Sequence, residues 1–303
     1  MALVFLVAPG RIVAGGGVGA GTPSSCTEAA FDAALAGGGS VTFSCGVNPF
    51  SLTVTSPKAI AVDTSLDGGG LITLSGGNTT GVFTVNTGAT LNLSQVTISN
   101  AAYGYAISNS VGGAVTVTNS TLSGNWGAID NCPGGTVTVT NSIVSHTTTY
   151  GAICNRGSGS TLTVASSSFS DNLGSGTGAA IDSSGGTLTV TNSTFSGNIA
   201  YTSGGAIYSG SGGTLTVFNS TFSNNVSKNG KGGAIYNAGT AIVSNSSFAG
   251  NRSASFGGAL YQNFGDTMTV RNSTFFGNTA LDADPARLVA SGHGGWIAVD
   301  VHA

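Results

Sequence analysis

Charge is the scarcest property of this 303-residue chain. Charged residues make up 6% of it, with 8 Lys and Arg against 11 Asp and Glu, whereas ordinary globular domains have about a quarter. So few basic residues leave no electrostatic surface for nucleic acid or an anionic membrane, and we predict neither as a partner. Long apolar runs are also missing. No stretch approaches the roughly 18 residues of a membrane-spanning helix, so we predict no transmembrane segment.

Histidine and cysteine are almost as rare. The three histidines (His146, His293 and His302) do not have metal-ligand spacing, and the glycine pairs precede strands rather than helices, which excludes a phosphate-binding loop. We therefore predict no metal, no cofactor and no catalytic residue.

The four cysteines give one predicted disulfide. Cys26 and Cys45 flank a predicted short helix and the strand that follows it. A bridge between them would place the protein in an oxidising compartment. Cys132 and Cys154 lie in successive repeats at different phases, and the sequence leaves their pairing open.

What the chain has in abundance is small and polar. Glycine accounts for 50 residues and apolar residues for 40%. The apolar residues are periodic and often β-branched, which is typical of an ordered β-protein and not of a disordered segment. A surface of Ser, Thr, Asn and Gly favours an extracellular or cell-surface location in the outer envelope.

A seven-fold repeat organises most of the sequence. Each unit contains a small-small-aliphatic triplet and, about fifteen residues later, a large apolar residue. The second position recurs at spacings of 22, 25, 26, 27, 26 and 27 residues. The triplet aliphatics are Ile107, Ile129, Ile153, Ile181, Ile207, Ile235 and Leu260, and the large apolar residues are Leu122, Val144, Phe169, Phe195, Phe222, Phe248 and Phe275. A constant period of this length predicts a solenoid whose units bury their apolar faces only against their neighbours.

Within each unit, apolar and polar residues alternate as they do in strands with one solvated face. In Thr187–Thr191, Leu188 and Val190 point one way and the threonines the other. Three short strands and three corners in about 25 residues predict one rung of a single-stranded parallel β-helix. The phenylalanines should then form one internal stack.

The ends of the chain predict the domain boundaries. We assign residues 1–24 to a leader or disordered segment, and the short apolar run from Ala2 to Ala8 leaves both readings open. Residues 25–278 are predicted to form the β-helix. Its first rung is covered by a capping helix at about 26–36 that begins with a Ser25–Glu28 capping box. Residues 279–303 form a divergent tail or a C-terminal cap.

Two elements of the repeat resemble a known family. GGAI at Gly204–Ile207 and Gly232–Ile235, together with F-x-x-N at Phe195–Asn198 and Phe222–Asn225, are similar to the polymorphic outer membrane protein repeat. The resemblance covers roughly residues 90–278. It implies a right-handed parallel β-helix of the pectate-lyase-like superfold, and its members include adhesins and surface structural proteins.

Two surfaces are candidates for binding. The residues that follow the triplets should point outward, which places Tyr208, Tyr236 and Tyr261 in one column. The corner before each triplet varies most in length, and its longer copies hold Lys228, Lys231 and Arg252. Insertions on one side of a solenoid often form its binding face. We predict a non-catalytic structural or adhesive module whose partner is a glycan or another surface protein.

Two alternatives stay open. Asp130 and Asp182 share a column two rungs apart, about 9.6 Å by strand spacing, which is near the carboxylate separation of an inverting glycosidase. A polysaccharide lyase or glycoside hydrolase is therefore the first alternative. Repeated T-x-T pairs would form a regular hydroxyl array of the kind that ice-binding solenoids use, and an ice-binding protein is the second. These pairs are Thr136–Thr138, Thr161–Thr163, Thr187–Thr189, Thr214–Thr216 and Thr267–Thr269.

Overall fold

The computed structural model describes residues 15–132 and 134–281. In these ranges the chain winds through about ten turns of a right-handed parallel β-solenoid with one short α-helix, as predicted. Strands of successive turns pair in parallel within three sheets, so each sheet runs the length of the solenoid.

The main sheet has 19 strands because it joins two adjacent faces of the solenoid. Its early strands Thr64–Ser75 and Thr90–Ser99 run through both faces, and later turns split each into a five-residue and a three-residue strand. The strands of the main sheet are Gly17–Val18, Gly39–Phe43, Phe50–Thr53, Thr64–Ser75, Thr90–Ser99, Ala114–Thr118, Thr121–Ser123, Thr136–Thr140, Ile143–Ser145, Thr161–Ala165, Ser168–Ser170, Thr187–Thr191, Thr194–Ser196, Thr214–Phe218, Thr221–Ser223, Thr240–Ser244, Ser247–Ala249, Thr267–Arg271 and Thr274–Phe276.

The second and third sheets form the remaining faces. The strands of the second sheet are Lys58–Ile60, Phe83–Val85, Tyr105–Asn109, Gly127–Asp130, Gly151–Cys154, Ile181–Ser184, Ile207–Gly210, Ile235–Asn237 and Leu260–Gln262. The strands of the third sheet are Leu173–Gly174, Ile199–Ala200, Val226–Ser227, Arg252–Ser253 and Thr279–Ala280. Among the described residues, the third sheet therefore begins at the turn of Leu173.

The interior is a set of stacked columns, which confirms the predicted register. The rings of Phe169, Phe195, Phe222, Phe248 and Phe275 stack with centroids 4.8–5.0 Å apart and planes within 10° of parallel. The triplet aliphatics from Ile107 to Leu260 pair in register in the second sheet. Each side chain thus buries its faces against its equivalents above and below.

A buried asparagine ladder runs beside the phenylalanine stack, formed by the Asn of each F-x-x-N. Asn225 Nδ2 donates to the Phe195 carbonyl at 3.0 Å and to Asn251 Oδ1 at 2.9 Å. Its own Oδ1 accepts from the backbone N–H and the Nδ2 of Asn198 at 3.1 and 2.9 Å. The motif therefore couples consecutive rungs through a fully buried amide.

Backbone geometry and close packing require both glycines of the GGAI motif. Gly204 and Gly232 have φ of +68° and +66°, which only glycine adopts without strain. A Cβ on Gly205 would lie 2.0 Å from the carbonyl oxygen of Gly233 in the next turn. The sharp turn into the second sheet therefore needs both residues to lack a side chain.

The capping helix is present, but its N-terminal cap differs from the prediction. The helix spans Glu28–Leu35, and Thr27 is the N-cap, accepting from the Ala30 N–H at 3.2 Å. Ser25, which we predicted as the N-cap, does not cap the helix, because its hydroxyl donates to the Thr22 carbonyl at 2.6 Å. Phe31 and Ala34 face the first turns, and the Cys26 and Cys45 sulfurs are bonded.

The folded region is slightly longer than predicted at both ends. Gly17–Val18 pairs with Gly39–Phe43, and Thr279–Ala280 pairs with Arg252–Ser253, so the solenoid includes residues before 25 and after 278. Residues 1–14 of the predicted leader at 1–24, and residues 282–303 of the predicted tail at 279–303 with His293 and His302, lie outside the described residues. In the part of the chain that is described, no helix is long and apolar enough to cross a bilayer.

Candidate functional site

The outer face of the second sheet collects the distinctive side chains of this protein. The residue after each buried triplet aliphatic points away from the core, and strand register places these residues in one column, which we call the outer column. It consists of Ser108, Asp130, Cys154, Asp182, Tyr208, Tyr236 and Tyr261. Its lower half, towards the N-terminus, is polar, and its upper half, towards the C-terminus, is aromatic.

The three predicted tyrosines form a stack. Tyr208 and Tyr236 lie 4.8 Å apart with planes at 10°, and Tyr236 and Tyr261 lie 5.2 Å apart at 21°. The tyrosines therefore cover most of one another's faces. They present ring edges and hydroxyl groups to solvent, which is a row of hydrogen-bonding groups and not an open aromatic platform. Burial raises the pKa of Tyr208 and of Tyr236, so both hydroxyls stay protonated at neutral pH.

The predicted basic residues separate into two groups. Lys231 reaches the tyrosine stack: its Nζ lies 2.9 Å from Tyr261 Oη, 4.5 Å from the Tyr261 ring centroid and 5.4 Å from the Phe256 ring centroid. Lys228 and Arg252 are exposed, and Arg252 belongs to the third sheet. Neither forms an ion pair with another described residue. The structure thus joins Lys231 to the tyrosines but not Lys228 or Arg252.

The lower half of the outer column is an ionic cluster. Asp182, 5% exposed, accepts from Arg156 Nη2 at 2.5 Å, from Ser184 Oγ at 3.1 Å and from Thr177 Oγ1. The hydrogen bond to Asp182 raises the pKa of Arg156, although burial opposes it. Arg156 and Asp182 are therefore a fixed ion pair.

Asp130 is placed differently. It lies two turns below Asp182, as predicted, and its Oδ1 accepts from the Cys132 N–H at 3.2 Å. Burial raises its pKa, against the effect of that hydrogen bond and of Arg156. A glycosidase needs two accessible carboxylates flanking the bond that breaks. Asp182 is buried and already engaged, so the two acids do not form such a pair.

A second disulfide settles the pairing of Cys132 and Cys154, whose sulfurs are bonded across consecutive turns. Asp130 lies beside the two sulfurs, within 4.8 Å for the atoms that could act as ligands. Disulfide sulfur is not a thiolate, and metal binding requires the thiolate. The bridge therefore acts as a covalent link between the turns that carry the ionic cluster.

Sequence reasoning missed an aromatic cluster next to this link. Tyr103 and Trp126 have ring centroids 4.9 Å apart, Trp126 and Tyr150 6.3 Å, and Tyr150 and Tyr105 5.6 Å. We call these four residues the aromatic cluster. Trp126 and Tyr150 share the position three residues before the triplet aliphatic, which is glycine in the other five turns of the repeat, while Tyr103 and Tyr105 occupy other positions. The sequence did carry one signal: the corner between the large apolar residue and the next triplet aliphatic is short in these turns. It spans 7 positions before Ile129 and 9 before Ile153.

The threonine array is present on the outer face of the main sheet. Strand register places Thr136, Thr161, Thr187, Thr214, Thr240 and Thr267 in one column. The adjacent column runs through Thr138, Thr163, Thr189 and Thr216, and is then interrupted by Ile242.

The right-handed coil, the parallel sheets and the stacked interior define a right-handed parallel β-helix protein. A family model described as "Right handed beta helix region" matches residues 72–222, and one described as "Chlamydia polymorphic membrane protein repeat" matches residues 219–238 and 245–263. The sequence is thus similar to right-handed β-helix proteins over its central part and to the polymorphic membrane protein repeat over two later segments, in agreement with the fold.

No curated protein matches the sequence. Among solved structures, the Streptococcus pneumoniae surface protein and adhesin PfbA has 14% identity and a TM-score of 0.39, over 82% of this chain and 93% of that one. The catalytic domain of a GH87 alpha-1,3-glucanase in complex with nigerose has 10% identity and a TM-score of 0.30, over 89% of this chain and 70% of that one.

Proposed function

We propose that this protein is a non-catalytic β-helix module of the cell surface or extracellular space, with an adhesive role in which it binds a glycan. The observation that carries the proposal is the tyrosine stack. Three half-buried tyrosines form a continuous row on the outer face of the second sheet, and Lys231 contacts the last tyrosine of that row.

The surface location is supported by composition, bridges and family. Charged residues amount to 6%, so the exterior is neutral and rich in hydroxyl and amide groups. Two disulfides fit an oxidising compartment. The matched repeat takes its name from a membrane protein, which agrees with a position outside the cytosol.

The ligand class follows from what the row offers. Protonated phenol hydroxyls donate and accept hydrogen bonds, and their spacing follows the strand spacing of about 4.8 Å. A glycan presents hydroxyl groups along an extended chain and can pair with such a row. Interfaces built on tyrosine combine ring contact with hydrogen bonding at a low cost in side-chain entropy.

The test removes the hydroxyls and keeps the rings. A triple variant, Tyr208→Phe, Tyr236→Phe and Tyr261→Phe, is compared with wild type on a glycan array and by binding to intact cells. The control is Tyr201→Phe, which removes an exposed hydroxyl outside the stack. We expect the triple variant alone to lose binding. Equal binding by all three proteins would refute a role for the row, and cell binding without glycan binding would point to a protein partner.

An ice-binding function is the second candidate, favoured by the register of the threonine array. Six consecutive turns place threonine at the same outward position, so hydroxyls repeat with the strand spacing of about 4.8 Å. Thermal hysteresis at micromolar protein, reduced by Thr187→Leu and not by Thr84→Leu in the second sheet, would support it. Growth of unshaped ice crystals at the normal freezing point would exclude it.

A further inference from the structure

We propose that the aromatic cluster and the adjacent Asp130 and Arg156 form a binding site for a neutral oligosaccharide. This inference rests on the proposed function for the class of ligand, but it assigns that ligand to a different site from the tyrosine stack. The Trp126 ring is inclined to those of Tyr103 and Tyr150, which are both exposed, while Tyr105 stacks on Tyr150. Polar groups lie at the other end of the same strands.

The ring geometry differs from that of the tyrosine stack. The planes of Tyr103 and Trp126 meet at 52° and those of Trp126 and Tyr150 at 53°. Tyr103 is 76% exposed and Tyr150 is 47% exposed. Inclined, exposed rings leave faces free, and a sugar ring packs its C–H face against such an aromatic face. The stacked tyrosines cannot offer this contact because their faces cover one another.

The backbone holds Tyr103 in a costly conformation. Its φ is +57°, and for a bulky residue a positive φ is an outlier that costs of the order of 1 kcal/mol or more. The other non-glycine residues with positive φ in the described chain are Asn, Asp, Ser, Gln and His, mostly small polar types that tolerate it. The ring of Tyr103 is mostly exposed, so its burial does not offset this cost. A strained, exposed aromatic residue indicates a role other than stability.

Tyr105 connects the aromatic cluster with the ionic cluster. A Cβ on Gly127 would lie 2.5 Å from Tyr105 Cδ1, so the Tyr105 ring lies across the glycine of the next turn. Burial, followed by the negative charge of Asp130, raises the pKa of Tyr105. Gly127 and Asp130 are three residues apart in one strand, or about 10 Å. One site can therefore place one sugar on the rings and another beside Asp130.

The polar groups determine the charge of the ligand. One oxygen of Asp130 accepts from the Cys132 N–H, and its other oxygen has no partner among the described residues. Arg156, 55% exposed, uses only Nη2 on Asp182. A free acceptor and free guanidinium donors suit sugar hydroxyls. Two carboxylates against one guanidinium give this region a net charge of about −1, which repels uronate or sulfated sugars.

The fold leaves this site open. From Leu173 onward, the longer corners add the third sheet, while the turns that carry Trp126 and Tyr150 have no strand of that sheet among their described residues. The disulfide between Cys132 and Cys154 fixes the two turns below Asp182 relative to each other. The site is thus preorganised, which limits the entropy cost of binding.

The test uses the full chain and five probes: the neutral cellohexaose, laminarihexaose, maltohexaose and chitohexaose, and the acidic hexagalacturonate. We expect at least one neutral probe to bind and hexagalacturonate not to bind. Trp126→Ala should weaken that binding by about three- to tenfold, and Trp126→Phe, which keeps a ring, should weaken it less. The chain has two tryptophans, so in a Trp296→Phe background a fluorescence change on binding reports Trp126 directly.

Tyr103→Gly separates binding from stability. Glycine relieves the positive φ, so the melting temperature should stay level or rise while affinity falls by about three- to tenfold. Tyr201→Ala, on an exposed corner, is the control and should change neither. Unaltered affinity in Trp126→Ala and Tyr103→Gly, with loss in the tyrosine-to-phenylalanine triple variant, would overturn this site and leave the proposed function standing. Failure of wild type to bind any probe would overturn both.

Discussion

Replacing Asn225 with alanine is expected to destabilise the β-helix by about 3–6 kcal/mol, as much as the loss of a core aromatic residue. Asn225 is completely buried and its side chain takes part in four hydrogen bonds. Alanine removes all four without changing the backbone. Because the ladder is continuous, the lost hydrogen bonds destabilise the turns directly above and below.

The magnitude follows from the partners that remain. The backbone N–H of Asn198 has Asn225 Oδ1 as its acceptor, so it becomes a buried donor without a partner, at a cost of about 1–3 kcal/mol. The Asn198 Nδ2 keeps its bond to the Phe169 carbonyl, and Asn251 Oδ1 keeps the one from the Asn225 N–H. Each of the three other lost bonds costs about 0.5–1.5 kcal/mol.

A natural substitution in the same column provides an intermediate variant. Thr147 occupies the equivalent position, and its hydroxyl donates to Asn172 Oδ1 at 3.1 Å. Asn225→Thr should keep the hydrogen bond to the side-chain oxygen of Asn251 in the next turn. It should therefore be about 1 kcal/mol less destabilising than alanine. Asn229→Ala, on an exposed corner, serves as the control and should stay within about 0.5 kcal/mol of wild type.

Urea unfolding followed by far-UV circular dichroism would give the change in free energy. Solenoids can unfold in parts, so hydrogen exchange should be measured alongside, and the loss of protection should centre on the turns of Asn198 and Asn251. If Asn225→Ala lies within about 1 kcal/mol of Asn229→Ala, the ladder does not couple the turns and the reasoning fails.

Three further predictions concern stability. Phe222→Ala should cost about 3–5 kcal/mol and Phe222→Leu under about 1.5 kcal/mol by urea unfolding; equal effects would contradict the stacked core. Burial alone would raise the pKa of Glu28, but hydrogen bonds from Lys58 and Thr55 outweigh it and lower that pKa. The stabilisation is therefore complete above its ordinary pKa of 4.5 and lost as pH falls through the lower folded value, so Glu28→Gln should flatten the acid limb of a melting-temperature profile. Joint Cys132→Ser and Cys154→Ser replacement should cost about 3 kcal/mol, and alkylation of unfolded, unreduced wild type should label no cysteine.

The repeat made the fold predictable because it reports the same packing requirement many times. Each large apolar residue has an equivalent one turn away, so register, stacking and the inward face follow from spacing alone. The N-cap is a single event without such repetition. Ser25 and Thr27 both offer a hydroxyl before the helix, and only the turn made by Thr22 to Ser25 decides that Thr27 is used. The sequence carries no comparable redundancy at that point.

The same logic explains why the candidate sites were harder to find. Tyr208, Tyr236 and Tyr261 share a column, so their contact could be predicted, but the orientation of their rings could not. Because the rings stack on one another, they present a row of hydroxyls to solvent and not open ring faces.

Trp126 and Tyr150 stand at a position that is glycine in the other turns of the repeat, and both lie in short corners. Residues in columns are explained by packing against their equivalents. A side chain that breaks the columns, remains exposed and, as at Tyr103, requires a strained backbone gains nothing from that packing. In a repeat protein such residues are the strongest structural indication of a binding site, and here they lie together on one face.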